Sequence, residues 1–183
     1  TDIVIRENLL MYRNLLNHQD KFTKFISFGS GAELGNPTSP YGISKQAISR
    51  HMAMMPNFLN LRIFAVFDEN ELDTRFIKAN IKRYIAGEPI IIHQDKLMDF
   101  FYMQDLVSVI EYYMNEKDPP KEFDCAYNEF YSLKNIADII NTLDEYEVEI
   151  NIEKEGRAMY KSKSTDKRVM LFSESILDSP AVE

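Results

Sequence analysis

Two side chains with complementary chemistry stand close together near the start of the chain. Tyr41 and Lys45 are four residues apart at a predicted helix start, so both lie on one face of that helix. A tyrosine is a useful acid or base near neutral pH only if its pKa of about 10 falls by several units, and about three units cost roughly 4 kcal/mol. A lysine ammonium about 4 Å away supplies roughly that much at an effective dielectric constant near 20. The pair therefore suits general acid/base catalysis.

Ser30 ends the apolar run that precedes this pair. At the tip of a strand its hydroxyl can hydrogen-bond the same substrate oxygen that Tyr41 protonates or deprotonates. The three residues together suit interconversion of a carbinol and a carbonyl, with hydride moving to or from a nicotinamide. The spacing alone is weak evidence, because the chain has a second Y-x-x-x-K from Tyr113 to Lys117. No strand-tip serine precedes that second pair, which is typical of a surface helix pair.

The loop after the strand carries three glycines and resembles a dinucleotide phosphate loop at first sight. Such a loop needs a helix that starts inside the glycine motif, because the amides at the helix N-terminus bind the pyrophosphate. Here Pro37 and Pro40 follow the glycines and predict an irregular loop. No acidic residue follows about twenty positions later to hold a ribose. The stretch therefore fails as a phosphate-binding loop.

Composition narrows the class of protein. The 183 residues make one ordinary domain, or a small domain and part of another, and 45% hydrophobic with 27% charged residues indicates a globular chain. A net charge of −8 without a dense cationic block argues against nucleic-acid and anionic-membrane partners. The single cysteine, Cys125, excludes an intramolecular disulfide and favours a reducing, cytoplasmic location.

Neither a membrane segment nor a metal site is expected. No apolar run approaches about 20 residues, and the start TDIVIRENLL is not typical of a signal peptide. His18, His51 and His93 are scattered without metal-ligand spacing, and Asp95 and Asp99 beside His93 do not make a ligand set.

Hydrophobic periodicity predicts alternating helices and strands, and thus an α/β fold. The near-continuous apolarity of residues 59–67 suits a central parallel strand buried on both faces. Helices are predicted at residues 2–17, 41–55, 73–86, 105–115 and 133–143, and strands at 24–28, 59–67, 90–93, 100–103, 123–127 and 147–152. The polar tail holds one apolar patch, 169–172. The first helix has no strand of its own before it, so we expect an N-terminal half to precede this chain.

Several motifs, in order, resemble the extended short-chain dehydrogenase/reductases, meaning the NAD(P)-dependent sugar-nucleotide epimerases and dehydratases. In that family a strand ends in S-S-x-x-x-Y-G, and the next helix opens with S-P-Y-x-x-S-K. The first motif is similar to ISFGSGAELG, and the second is matched in full by SPYGISK. Over residues 2–145, further family motifs are similar to ENLLMYRNLL, LRIFAVFD, GEPIIIHQD, MDFFYMQDL and EFYSLKNIADII. The family's N-terminal glycine-rich half has no counterpart in the sequence.

The resemblance implies a role for each matched residue. Tyr41 would be the general acid/base, Lys45 its activator and a nicotinamide-ribose ligand, and Ser30 the donor to the substrate oxygen. The cofactor, NAD or NADP, would contact Tyr41, Lys45, Phe28, Gly29, Ala65 and Val66. The substrate, a nucleotide sugar, would contact Ser30, Gly31, Ala32, Arg75 and Lys78. Gly29, Gly31 and Gly35 would then form a strand-end turn that presents Ser30, and residues 1–183 alone would bind NAD(P) weakly.

The resemblance also implies a domain organisation. Residues 1–68 would be the C-terminal half of a Rossmann-like NAD(P)-binding domain, and residues 69–183 a smaller α/β substrate-binding region. Residues 98–116 would return to pack on the Rossmann part.

Departures from the family pattern leave two alternatives open. Ala65 replaces an asparagine that contacts the substrate, and Met98 replaces an arginine that in many members holds a nucleotide phosphate. Both departures favour a reductase of a small, non-nucleotide carbonyl compound. The missing phosphate loop favours a non-catalytic descendant that serves binding or assembly. Arg75 and Lys78 also fit solvated helix charges.

Two helices carry more apolar surface than one sheet face covers. Helix 2–17 adds Val4, Leu10 and Met11 to its main stripe, and helix 41–55 adds Met52, Met54 and Met55. In the family that the chain resembles, the equivalent helices pack against a twofold mate. We therefore expect a homodimer through these helices; the alternative is that their second faces pack against a preceding N-terminal half.

Overall fold

The structure, a computed structural model, describes residues 2–160, so the apolar patch at 169–172 lies outside the described residues. The helices of this part are α1 (Asp2–Leu16), α2 (Pro40–Met52), α3 (Phe76–Ile85), α4 (Met103–Asn115) and α5 (Leu133–Ile140). The strands are β1 (Phe25–Ser30), β2 (Phe58–Ile63), β3 (Ala65–Phe67), β4 (Ile90–Met98), β5 (Phe100–Tyr102), β6 (Glu122–Cys125), β7 (Tyr131–Ser132) and β8 (Ile150–Tyr160). The predicted α/β fold is confirmed. None of the helices in this part combines the length and the apolar content needed to cross a bilayer.

The strands form three sheets. The first is parallel, in the order β1-β2-β6, and the second pairs β3 with β5, also in parallel. The third has the order β7-β4-β8, with β7 antiparallel and β8 parallel to β4. In the first sheet β2 is the central strand and is buried along nearly its whole length, as its apolarity predicts.

The strand predicted at 59–67 is in fact two strands in different sheets. The chain leaves the first sheet at Ile63 and enters the second at Ala65. Phe64 lies between them and is buried in the space beside Gly31, where an added Cβ would come within 2.4 Å of the Phe64 ring. The break therefore places a large side chain behind the turn that follows β1.

Other boundaries differ where contacts distant in sequence decide them. The predicted strand 90–93 extends to Met98, and the one predicted at 147–152 begins at Ile150 and extends to Tyr160, because β4 and β8 pair along their length. The helix predicted from residue 73 begins at Phe76. Asp73 instead lies before the helix, where its carboxylate pairs with Lys78 and Lys82.

A hydrophobic core joins α4 to the first two sheets. Tyr113 is among its most buried members, so the interpretation of Tyr113 and Lys117 as a surface pair is wrong. Cys125 is a buried free thiol, and burial raises its pKa to about 12. The cluster consists of Leu59, Leu61, Phe101, Leu106, Val109, Tyr113, Phe123 and Cys125.

A second core packs α1 and α2 against the first sheet, through Tyr12, Ile48, Met52 and Phe58. Met52 is 0% exposed and belongs to this core, so it adds nothing to the apolar surface that α2 presents outward. Met54, just beyond the end of α2, is 74% exposed.

Candidate active site

Ser30 lies at the end of β1, where the chain turns into a single 3₁₀ turn, Gly31–Glu33. The Ser30 hydroxyl accepts a hydrogen bond from the Ala32 N–H at 3.2 Å, and the Glu33 carboxylate accepts one from the Ser30 N–H at 3.1 Å. This reciprocal arrangement is a capping box, which holds both ends of the turn. Ser30 is therefore buried and fixed in direction at the carboxyl end of a parallel strand, where ligands bind in open α/β sheets.

Helix α2 begins directly against this turn. The Ser39 hydroxyl caps the helix by accepting a hydrogen bond from the Gly42 N–H at 3.0 Å, and Pro40 lies in its first turn. A Cβ on Gly42 would come within 2.5 Å of the Ala32 carbonyl oxygen. The backbone next to Tyr41 thus packs on the backbone next to Ser30. The helix begins only after the glycine-rich loop, as the prolines predict.

Lys45 joins Tyr41 to the strand that ends in Ser30. The Lys45 ammonium lies 5.7 Å from the centroid of the Tyr41 ring and donates a hydrogen bond to the Phe28 carbonyl at 2.8 Å. Tyr41 is 43% exposed, so a ligand can reach its ring. An ammonium this close stabilises negative charge that develops on a neighbouring oxygen.

Helix α1 supports α2 from the other side. The Asn8 amide donates a hydrogen bond to the Ser44 hydroxyl at 2.8 Å, and that hydroxyl donates to the Tyr41 carbonyl, also at 2.8 Å. Further along, the Tyr12 hydroxyl and His51 Nδ1 are 2.9 Å apart. Burial raises the pKa of Tyr12 to about 12. The two helices are therefore held in register at both ends of their contact.

Glu33 is central to the turn, although the catalytic motifs of the sequence do not include it. Its side chain is buried, and it accepts a hydrogen bond from the Asn60 amide at 2.6 Å, with Arg62 Nη1 at 3.7 Å. Burial raises the pKa of Glu33, while the Ser30 N–H, the Asn60 amide and the Arg62 charge oppose that rise. The signal was present in the sequence, because Ser30 and Glu33 have the S-x-x-E spacing of a capping box.

Arg62 balances the charge of this network. It donates hydrogen bonds to Asp124 at 2.5 Å and Glu122 at 2.6 Å, both on the neighbouring strand β6. These acidic groups raise the pKa of Arg62 against the opposing effect of burial, so the guanidinium stays charged inside the protein.

A cavity of about 180 Å³ lies where β3 meets α3 and β4. It brings together Ala65 and Val66, predicted to contact the cofactor, and Arg75, predicted to contact the substrate. Met98 lines the same cavity, so the arginine that many family members carry at this position would lie at this cavity too. Most of the other lining residues are apolar, including Phe67, Phe76, Ile77 and Phe100.

Three predicted ligand contacts are placed away from this cavity. The Lys78 ammonium donates hydrogen bonds to the Glu69 and Glu71 carbonyls and lies 3.3 Å from the Asp73 carboxylate, so it ties down the loop before α3. Gly29 is buried against the Asn60 amide, whereas Phe28 is exposed.

Within residues 2–160, no group of at least three His, Cys, Asp or Glu side chains is arranged to hold a metal ion.

Comparison with known families decides how the chain is classified. Residues 2–128 match the model of the NAD dependent epimerase/dehydratase family. The chain belongs to this family. The match confirms the resemblance seen in the S-P-Y-x-x-S-K and strand-end motifs. The members of this family are enzymes. No curated protein sequence matches the chain significantly.

Solved structures of epimerases share the fold. A variant of UDP-glucuronic acid 4-epimerase from Bacillus cereus, in complex with NAD and a fluorinated substrate analogue, matches with a TM-score of 0.74 at 18% identity. ADP-L-glycero-D-manno-heptose-6-epimerase from Helicobacter pylori gives 0.71 at 18% identity, and UDP-N-acetylglucosamine 4-epimerase from Bacillus cereus gives 0.72 at 14% identity. The matches cover 96%, 93% and 97% of this chain and 63%, 60% and 73% of those proteins, respectively. The chain thus spans less than two thirds of the first of these structures.

Proposed function

We propose that this chain carries the catalytic residues of an NAD(P)-dependent enzyme that epimerises, dehydrates or reduces a nucleotide-activated sugar. The observation that carries the proposal is the exposed Tyr41 ring, with the Lys45 ammonium 5.7 Å from its centroid and bonded to the strand that ends in Ser30. The family match supplies the class of reaction.

In this proposal Tyr41, Lys45 and Ser30 each have a separate role. Tyr41 takes a proton from, or returns it to, a sugar hydroxyl, Lys45 stabilises the negative charge on the tyrosine oxygen, and Ser30 hydrogen-bonds the reacting substrate oxygen. When bound, the nicotinamide supplies hydride transfer. The chain's own residues fit such a cofactor, because an accessible aromatic ring and a cation lie beside the carboxyl end of a parallel strand.

A nucleotide sugar is the substrate class that the structural neighbours support. Two of them were solved with UDP-glucuronic acid or UDP-glucose, each together with NAD. In this chain the substrate would extend from Ser30, Gly31 and Ala32 toward the cavity that Arg75 lines.

A second candidate function has its own supporting observation. Ala65 and Met98 line the cavity, where an arginine at position 98 would have supplied a charge-assisted phosphate contact. A substrate without phosphates, namely a small carbonyl compound, would suit this mostly apolar lining.

Organisation and assembly form part of the same proposal. We assign residues 1–68 to a Rossmann-like part and 69–183 to a substrate-binding part, with α4 and β6 returning to pack on β2. We also propose a homodimer through α1 and α2, supported by the exposed apolar side chains of α1, and a cytoplasmic location, supported by the free thiol of Cys125.

Replacement of the tyrosine tests the catalytic assignment. In the full-length protein, Tyr41→Phe should lower turnover by at least about 10²-fold, the usual contribution of a general acid/base. The substrates are UDP-glucose, UDP-glucuronic acid and a small aldehyde with NADPH, and products are followed by chromatography and by absorbance of the reduced cofactor. Turnover of the aldehyde alone would select the second candidate function.

Tyr113→Phe is the matched control, because Tyr113 belongs to the other Y-x-x-x-K and lies in the core. Its turnover should stay close to that of the unmodified protein even where its melting temperature changes. Equal losses in both variants would contradict the assignment of Tyr41.

A further inference from the structure

We propose that Glu33 and Asn60 form a buried clamp that holds the Ser30 turn against helix α2, and that both act as positioning residues for the reaction. This inference rests on the proposed function, because it assigns a task to the surroundings of Ser30. Glu33 and Asn60 are only 3% and 2% exposed, so neither contacts a substrate directly.

The Glu33 carboxylate uses its two oxygens for two different elements. Oε2 accepts a hydrogen bond from the Ser30 N–H at 3.1 Å, and Oε1 accepts one from the Asn60 amide at 2.6 Å. Asn60 lies on β2, beside β1 in the first sheet. The backbone of Ser30 is therefore tied through one side chain to the central strand of that sheet.

Asn60 and Gln46 extend the clamp to the helix that carries Tyr41 and Lys45. The Asn60 amide also donates a hydrogen bond to the Ser49 hydroxyl on α2, at 3.1 Å. From α2, the Gln46 amide donates to the carbonyls of Glu33 and Gly35, each at 2.9 Å. Because Gln46 directly follows Lys45, the turn and the catalytic face of α2 are fixed to each other from two sides.

Gly29 makes the clamp possible. A Cβ at this position would come within 2.5 Å of the Asn60 Oδ1 atom and within 2.9 Å of its Cγ atom. A residue with a Cβ at position 29 would therefore displace the Asn60 amide from its present place. The glycine at 29, the acid at 33 and the amide at 60 are thus one interdependent set.

The clamp acts by keeping the Ser30 hydroxyl and the Tyr41 ring at a constant separation. Both groups must reach the same substrate oxygen, and a misplacement of about 1 Å can cost about 10²-fold in rate. Loosening the turn should therefore lower kcat more than it changes KM, because the ground-state contacts with the rest of the substrate remain.

The test compares Glu33→Gln with a restoring double variant, Glu33→Gln/Asn60→Asp, in the full-length protein. In the double variant the glutamine amide donates to the new carboxylate, and one negative charge stays near Arg62. We expect Glu33→Gln to lower kcat about 10–100-fold and the second substitution to recover most of that loss. Asn141→Ala is the control. Asn141 ends helix α5, outside the site, and its side-chain amide makes two hydrogen bonds to the Val148 backbone that the substitution removes.

A double-mutant cycle with Ser30→Ala separates positioning from a general loss of stability. If Glu33 acts through Ser30, Glu33→Gln should have little further effect on kcat once Ser30 is alanine. Fully multiplicative losses, or a double variant that recovers nothing, would overturn the inference.

Hydrogen exchange tests the clamp without any turnover. Glu33→Gln should speed amide exchange in residues 28–34, and Asn141→Ala should leave that segment unchanged. Unaltered exchange in Glu33→Gln would overturn the clamp. If Ser30→Ala and Tyr41→Phe leave activity intact, the proposed function fails, while the exchange result still decides whether the clamp exists.

Discussion

At the residue scale, the buried Glu33 carboxylate makes stability depend on pH. Because burial raises its pKa in the folded state, the native protein binds the proton more tightly than the unfolded chain does. Its contribution to stability is present at low pH and is lost as the pH rises through the folded-state pKa. Glu33→Gln cannot titrate, so the stability of the unmodified protein relative to this variant should fall as the pH rises above the ordinary pKa of a glutamate.

Urea unfolding at several pH values measures that difference. Each unit by which the folded-state pKa of Glu33 exceeds its unfolded value lowers the relative stability at high pH by about 1.4 kcal/mol. A relative stability that instead rises with pH would mean that the hydrogen bonds to Glu33 outweigh its burial and lower its pKa.

The candidate site shows which residues short-range patterns can find. Tyr41 and Lys45 share a helix face because they are four positions apart, so their proximity follows from local geometry alone. The partners of Glu33 on strand β2 could not be found in this way. Asn60 and Arg62 meet Glu33 only because β1 and β2 pair in parallel, with Ser30 opposite Ile63, and no local spacing encodes that register.

At the element scale, a lysine outside the site caps helix α4. The Lys24 ammonium donates hydrogen bonds to the carbonyls of Tyr113, Met114 and Glu116, at 2.6, 3.1 and 2.6 Å. They lie at the C-terminal end of α4, where a cation also meets the negative end of the helix dipole. Lys24→Met should therefore reduce the free energy of unfolding by about 1–2 kcal/mol.

Lys117→Met is the control for this helix end, since Lys117 is exposed just beyond it. Its effect on chemical denaturation should stay within about 0.5 kcal/mol. Losses of the same size in the two variants would show that the cap contributes nothing specific.

The elements themselves were predicted where the signal is local and were misplaced where it is not. The glycine at position 87 predicts the end of α3. Its φ of +68° is the left-handed conformation that favours glycine after a helix. The full lengths of β4 and β8 were not found, because they depend on pairing between segments about sixty residues apart. The division of residues 59–67 into two strands likewise depends on the burial of Phe64 beside Gly31.

At the scale of the whole molecule, α1 presents an apolar face that the described residues leave exposed. Its members are Ile3, Val4, Leu10, Met11 and Leu15. If this face forms the twofold contact, light scattering on the full-length protein should give twice the monomer mass. Leu10→Glu and Met11→Glu should halve that mass, because each copy would bring a charge into an apolar interface.

Ile139→Glu serves as the control, since Ile139 is an exposed apolar residue on α5. It should leave the mass unchanged. A monomer mass for the unmodified protein at tens of micromolar would contradict the proposed dimer. If only Ile139→Glu dissociated the dimer, the interface would have to include α5 instead of α1.

The pairing of Arg62 with β6 has a consequence for the nascent chain on the ribosome. Glu122 lies sixty residues downstream of Arg62, so at about 5–20 residues per second its synthesis follows by about 3–12 s. During that interval β2 is an edge strand, and a charge on an open edge discourages pairing with other newly made chains. We therefore expect Arg62 to disfavour such pairing until Glu122 and Asp124 have been made, when the same guanidinium pairs with the strand that covers the edge.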